Sequence, residues 1–110
     1  RPSEGMSGAA FRHGPMEMLD ERVFLLAFAG VARTRALNEA LVADVRATGA
    51  RAFLAAEDAP EPALRLPTVP DAARPVVELL PVEMITLALA ALDGREAGRF
   101  DRATKVTATE

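Results

Sequence analysis

Cysteine is absent from this chain of 110 residues, and so are tryptophan and tyrosine. Without a thiol there can be no disulfide and no thiolate nucleophile, a composition compatible with the cytoplasm. One histidine and no cysteine leave no ordinary ligand set for an intrinsic zinc site, so neither a metal nor another cofactor is expected. Aromatic side chains are limited to five phenylalanines, although hydrophobic residues make up 50% of the chain. The core must therefore be built from Ala, Leu and Val. Net charge is −3 with a pI near 5.2, and no basic stripe gathers the arginines, which excludes nucleic acid as an expected partner. No apolar run is expected to reach the roughly 20 residues of a membrane span. Nor does a charged segment followed by an apolar one mark a signal peptide. The length allows one core.

Two residues are conspicuous by scarcity. His13 is the only histidine, in the run Ala9-Ala10-Phe11-Arg12-His13-Gly14-Pro15. Lys105 is the only lysine, in Thr104-Lys105-Val106-Thr107. Where arginine replaces lysine almost everywhere, a surviving lysine points to chemistry that arginine cannot do. A guanidinium stays protonated, so it is neither base nor amine nucleophile, whereas lysine can be both. The plain alternatives are a tail charge for Lys105 and a turn histidine making one hydrogen bond for His13.

Along the chain, Ser3 is expected to cap a short helix carrying Glu4 in its first turn. Gly14-Pro15 ends that helix and starts another short one, Met16 to Leu19. Val23 to Phe28 is a continuous apolar run, suited to a strand covered on both faces of a parallel sheet. Thr34 is placed as the N-cap of a helix to Thr48, with Leu37, Leu41 and Val45 on its buried face and Gly49 as its stop. Ala52 to Ala56 forms a second strand, and Glu57 to Pro62 an acidic, proline-broken loop. Ala63 to Val69 is a third strand limited by Pro67. The last helix covers Asp71 to Leu92, with Leu80, Met84, Leu87 and Ala91 on one face and Pro81 kinking or dividing it. Alternating strands and helices imply an α/β fold with a parallel sheet.

The segment Glu4 to Pro15, ending in Phe-Arg-His-Gly-Pro, and the tail Lys105 to Glu110 together resemble the sugar isomerase (SIS) domain family. Closest in kind are the isomerase half of glucosamine-6-phosphate synthase, the fructosamine deglycases and the amino-sugar isomerase/deaminases. The resemblance implies a flavodoxin-like three-layer αβα sandwich of five strands, of which about three parallel strands fall in this chain. Residues 1–93 then resemble the C-terminal portion of the last SIS domain, and 94–110 its C-terminal active-site tail. On this reading the chain is the end of a longer polypeptide, whose upstream SIS portion supplies the phosphate-binding loop and the base glutamate for C1–C2 proton transfer. The first strand would then keep a hydrophobic edge for a missing neighbour. The alternative is a small self-contained α/β domain.

By the same resemblance, His13 and Lys105 are the catalytic candidates, with Glu4, Arg12 and Thr104 placed at the substrate. The substrate class is a phosphorylated sugar or amino sugar. The implied assembly is a cytoplasmic homodimer in which His13 is donated to the neighbouring subunit's site. Histidine suits ring opening, because its unperturbed pKa lets it move a proton between ring oxygen and anomeric hydroxyl near neutrality. The synthase tail places its lysine before a serine and then Val-Thr. Here Lys105 directly precedes Val106-Thr107, and Thr104 stands at the synthase lysine's place. That offset favours a fixed charge over an imine for Lys105. Ala10 also departs from the synthase, which has a glutamate there. Two classes follow: an enzyme of aldose–ketose isomerisation with nitrogen added or removed at C2, or of fructosamine-phosphate deglycation; and a non-catalytic sugar-phosphate sensor.

Overall fold

In the computed structural model, residues 3–99 are described. The chain divides into two compact units, Arg1–Glu78 and Leu79–Glu110. The first holds an α/β core, and the second carries most of a long apolar helix.

The first helix, α1 (Gly8–Arg12), has Ser7 as its N-cap. The Ser7 hydroxyl accepts from the Ala10 N–H at 3.2 Å. The expected cap at Ser3 is thus corrected by four residues, and Glu4 lies in the non-helical segment ahead of the helix. Gly5 explains the delay, because glycine inside a helix costs about 1 kcal/mol relative to alanine. At the other end, Gly14 adopts φ 153, a region open to glycine and closed to most side chains. Pro15 opens a 3₁₀ turn, Pro15–Met18, where a short helix from Met16 was expected.

Two parallel strands follow, β1 (Phe24–Phe28) and β2 (Arg51–Ala55), paired from Phe24↔Arg51 to Phe28↔Ala55. Between them runs α2 (Ala32–Ala47). The two-residue period of the strands sorts their side chains. Leu25, Ala27, Ala52 and Leu54 meet a cluster of Phe11, Leu41, Val42, Val45 and Ala50. On the opposite face, Leu26, Phe28 and Phe53 pack with Ala29, Ala55, Ala56, Ala59, Leu64 and Leu66. The apolar run expected to be covered on both faces is covered by α2 on one and by the 56–66 segment on the other.

α2 begins two residues before the expected cap at Thr34. Val31 is its N-cap, and the Thr34 hydroxyl donates to the Val31 carbonyl at 3.0 Å. Gly30 makes this entry possible: it adopts φ 70, and a Cβ there would lie 2.6 Å from the Thr34 hydroxyl. Leu41 and Val45 are buried as expected, but Leu37 is 70% exposed. A four-residue period drifts by about 40° per step on a helix of 3.6 residues per turn. Asn38, seven residues before Val45, holds the place on the seam instead, and its side-chain amide donates to the Ala29 carbonyl at 3.1 Å. Gly49, at φ 87, lies just past the helix end as expected.

The expected third strand is corrected. Pro62–Leu64 forms a 3₁₀ turn, and only one parallel bridge, Ala56↔Arg65, extends beyond β2. Ala56 accepts from the Leu66 N–H at 2.9 Å, and Pro67, with no N–H to donate, follows at once. The described sheet therefore has two strands rather than three. Among the described residues, β1 is bonded to β2 alone.

A 3₁₀ turn, Asp71–Ala73, leads into α3 (Arg74–Leu92), which continues through Pro81 instead of dividing there. It closes in a Schellman arrangement: Gly94, at φ 65, donates to Ala91 at 3.0 Å and Arg95 to Ala90 at 2.8 Å. The expectation about membrane-length runs is also corrected. The stretch Asp71–Leu92 is long and apolar enough to cross a membrane by length and composition.

Candidate functional site

The site is built outward from His13, the C-cap of α1. Its backbone N–H donates to the Ala10 carbonyl at 3.2 Å, which fixes the main chain, while the imidazole is exposed. Among the described residues no hydrogen bond is made by the ring. Gly14 then turns the chain away from the helix axis. His13-Gly14-Pro15 is therefore a corner that leaves an imidazole facing solvent.

The helix bearing that corner is short and would not persist alone, since isolated helices under about 12 residues are marginal in water. Three contacts hold it to α2. Gly8 lies so close that an added Cβ would stand 3.3 Å from the Leu41 side chain and 3.7 Å from that of Asn38. Phe11 is buried in the cluster with Leu41 and Val45. Arg12 forms an ion pair with Asp44 at 2.6 Å.

These contacts sort the candidates. Arg12 adjoins His13, yet its guanidinium is engaged by Asp44. Glu4 is exposed, and among the described residues no hydrogen bond or ion pair joins it to Arg12 or His13. Thr104 and Lys105 lie outside the described residues. Asp44, which sequence reasoning missed, is the one acidic residue paired with the His13 helix among the described residues. Its pairing with Arg12 joins two helices far apart in the chain, and no local spacing rule reports such a contact.

Other arginines are also engaged by the chain itself. Arg35 forks onto Asp58 at 2.9 Å to both oxygens and reaches Glu39 at 2.7 Å. Hydrogen bonding by Arg35 holds the Asp58 carboxyl below its ordinary value, while Asp58 and Glu39 raise the Arg35 guanidinium. Asp20 is likewise lowered, chiefly by the Arg22 side chain, which is raised in turn. Arg74 bridges Glu57 and Asp71. Arg46, Arg51 and Arg65 donate to the carbonyls of Ala52, Glu21 and Ala59. A depression of about 200 Å³, lined by Glu39, Val42, Arg46, Leu54 and Glu61, includes none of the candidate residues.

No family model matches the chain, and neither does any curated protein or any solved structure. His13 presents an exposed imidazole, a side chain able to serve as general acid or base, at the Gly14-Pro15 corner.

Proposed function

We propose that this chain forms part of a SIS-type enzyme that interconverts the aldose and ketose forms of a phosphorylated sugar or amino sugar, with nitrogen added or removed at C2. In this reading β1, α2 and β2 belong to a flavodoxin-like sandwich. His13 opens the sugar ring: the imidazole accepts the anomeric hydroxyl proton, the bond from C1 to the ring oxygen breaks as the C1 carbonyl forms, and the ring oxygen receives a proton from the imidazolium. The histidine ends in the protonation state in which it began. Lys105 supplies a fixed positive charge near the substrate, with Thr104 and Glu4 beside it. A cytoplasmic homodimer completes the site, His13 serving the neighbouring subunit.

The observation that carries this reading is the exposed His13 ring on the Gly14-Pro15 corner, with its backbone tied and its imidazole unengaged among the described residues. A histidine kept only for packing would be expected to bury its ring or bond it.

The test is His13→Ala in the full-length protein, assayed with a cyclic sugar phosphate and with an open-chain analogue. Proton transfer by a positioned residue is worth about 10²–10⁴-fold, and only the cyclic substrate needs it for ring opening. A loss confined to the cyclic substrate supports the assignment. Equal losses with both substrates remove it, and sugar-phosphate binding without turnover in the unmodified protein would make the chain a sensor.

A further inference from the structure

We infer that Asp44 is a positioning residue for His13, acting through its ion pair with Arg12 to fix the direction of α1. The inference rests on the proposed ring-opening role for His13, and it gives Arg12 a different task from substrate binding.

Asp44 lies on α2, next to fully buried Val45, so its backbone is anchored in the core. The three contacts between α1 and α2 follow one line. Gly8 sits over Asn38 and Leu41, Phe11 packs in the cluster of Leu41 and Val45, and Arg12 reaches Asp44. Residues 8, 11 and 12 share one face of α1, as 38, 41 and 45 share one face of α2. Glycine at 8 permits close approach, and Phe11 supplies adhesion. Together they set which face of α1 meets α2, but neither contact lies at the end of the helix that leads into His13. The guanidinium held by a carboxylate at the last helical position adds that contact, and His13 is the next residue.

Arg12 and Asp44 are respectively 38% and 49% exposed, so the pair contributes little to overall stability. Its consequence is geometric. Catalytic proton transfer is sensitive to placement, and a misplacement of about 1 Å can cost on the order of 10²-fold.

The experiment uses Asp44→Asn, which keeps the side-chain size and removes the charge, and the exchange Arg12→Asp with Asp44→Arg, which reverses the pair. In the full-length protein His13 is followed by the NMR signal of its imidazole after selective histidine labelling, identified by its loss in His13→Ala, beside turnover of cyclic and open-chain sugar phosphates. Asp44→Asn should shift the imidazole signal and lower cyclic-substrate turnover by up to about fivefold. Open-chain turnover should stay unchanged, so that the ratio of cyclic to open-chain rates falls, and the exchange should restore both signal and ratio. An unmoved His13 signal with an unchanged ratio of cyclic to open-chain rates would overturn the inference. So would damage that the exchange fails to repair, because Arg12 would then be needed for its own charge. If the unmodified protein turns over neither substrate, the proposed function falls. In that case a His13 signal that moves with Asp44→Asn and returns with the exchange still supports the positioning contact.

Discussion

Two helices of similar length meet different fates in this molecule. α2 carries arginines, acids and an asparagine among its apolar residues, yet it buries Leu41, Val42 and Val45. α3 is richer in apolar side chains, interrupted mainly by Glu78, Glu83 and Thr86, and still exposes Val76, Leu79, Leu80, Val82, Met84 and Leu87. Composition alone would rank them the other way. What a helix buries depends on what the chain sets against it, and α2 has a strand at either end of its sequence whose Leu25, Ala27 and Ala52 meet its seam. α3 is apolar around much of its girth, the pattern of a helix enclosed by other protein or by lipid.

The strongest way to break this comparison is to place the same charge in both helices. Val45→Asp puts an unpaired carboxylate at a position with no solvent exposure. The penalty of several kcal/mol is comparable with the roughly 5–15 kcal/mol that stabilises a whole domain. Circular dichroism should show loss of the cooperative melt. Leu80→Asp, at a half-exposed position, should change stability by no more than about 0.5 kcal/mol. Equal damage from both would mean that the α3 face is covered in solution.

A smaller effect is expected from Phe11→Ala. The ring fastens α1 to the α2 cluster, and losing a buried phenylalanine costs about 3–5 kcal/mol when its site cannot collapse. Because α1 lies at the margin of the core, the lower end applies. Urea unfolding should give a lower midpoint with an unchanged slope. A midpoint within error of the unmodified protein would show that α1 is not docked on α2.

The same contrast shows how far the sequence could be read. Val23 to Phe28 was legible as a strand because its run is continuous and bounded by Asp20-Glu21-Arg22, and the structure trims it by one residue. β2 and the end of α2 at Gly49 were legible for similar reasons, since local chemistry decides them. The start of α2 was less so: threonine is a good cap, but Gly30 lets the chain enter the helix earlier. The 63–69 segment has strand-like residues, and its fate turned on where backbone donors are missing, at Pro62 and Pro67. Of the site, the His13 corner could be read from Gly14-Pro15. The Arg12–Asp44 contact could not, because it depends on how α1 and α2 pack.

Dye binding sharpens the comparison at the level of surface. Replacing Leu80, Met84 and Leu87 together with glutamine should reduce fluorescence of a hydrophobic dye, since contiguous exposed apolar patches bind such probes. Replacing Leu37, the lone exposed leucine of α2, should leave that signal nearly unchanged. Equal reductions would show that isolated and clustered apolar groups are equivalent here.

The smallest expected effect concerns the polar tether of α2, the fork from Arg35 to Asp58. The folded protein holds the Asp58 carboxyl below its ordinary value, chiefly through the Arg35 hydrogen bonds. A carboxylate with a depressed folded pKa binds fewer protons when folded than when unfolded, so stability from the pair is complete above the ordinary aspartate pKa of about 3.9. It is lost as pH falls through the lower folded value. The unmodified protein should therefore melt slightly higher than Asp58→Asn near neutral pH, and the gap should close in acid below about pH 4. Both partners are solvent-exposed, so about 1 M salt should also shrink the gap. Melting temperatures across pH 2–7 at two salt concentrations check both signs, and a gap that widens on acidification would show that Arg35 does not hold Asp58 in its charged form.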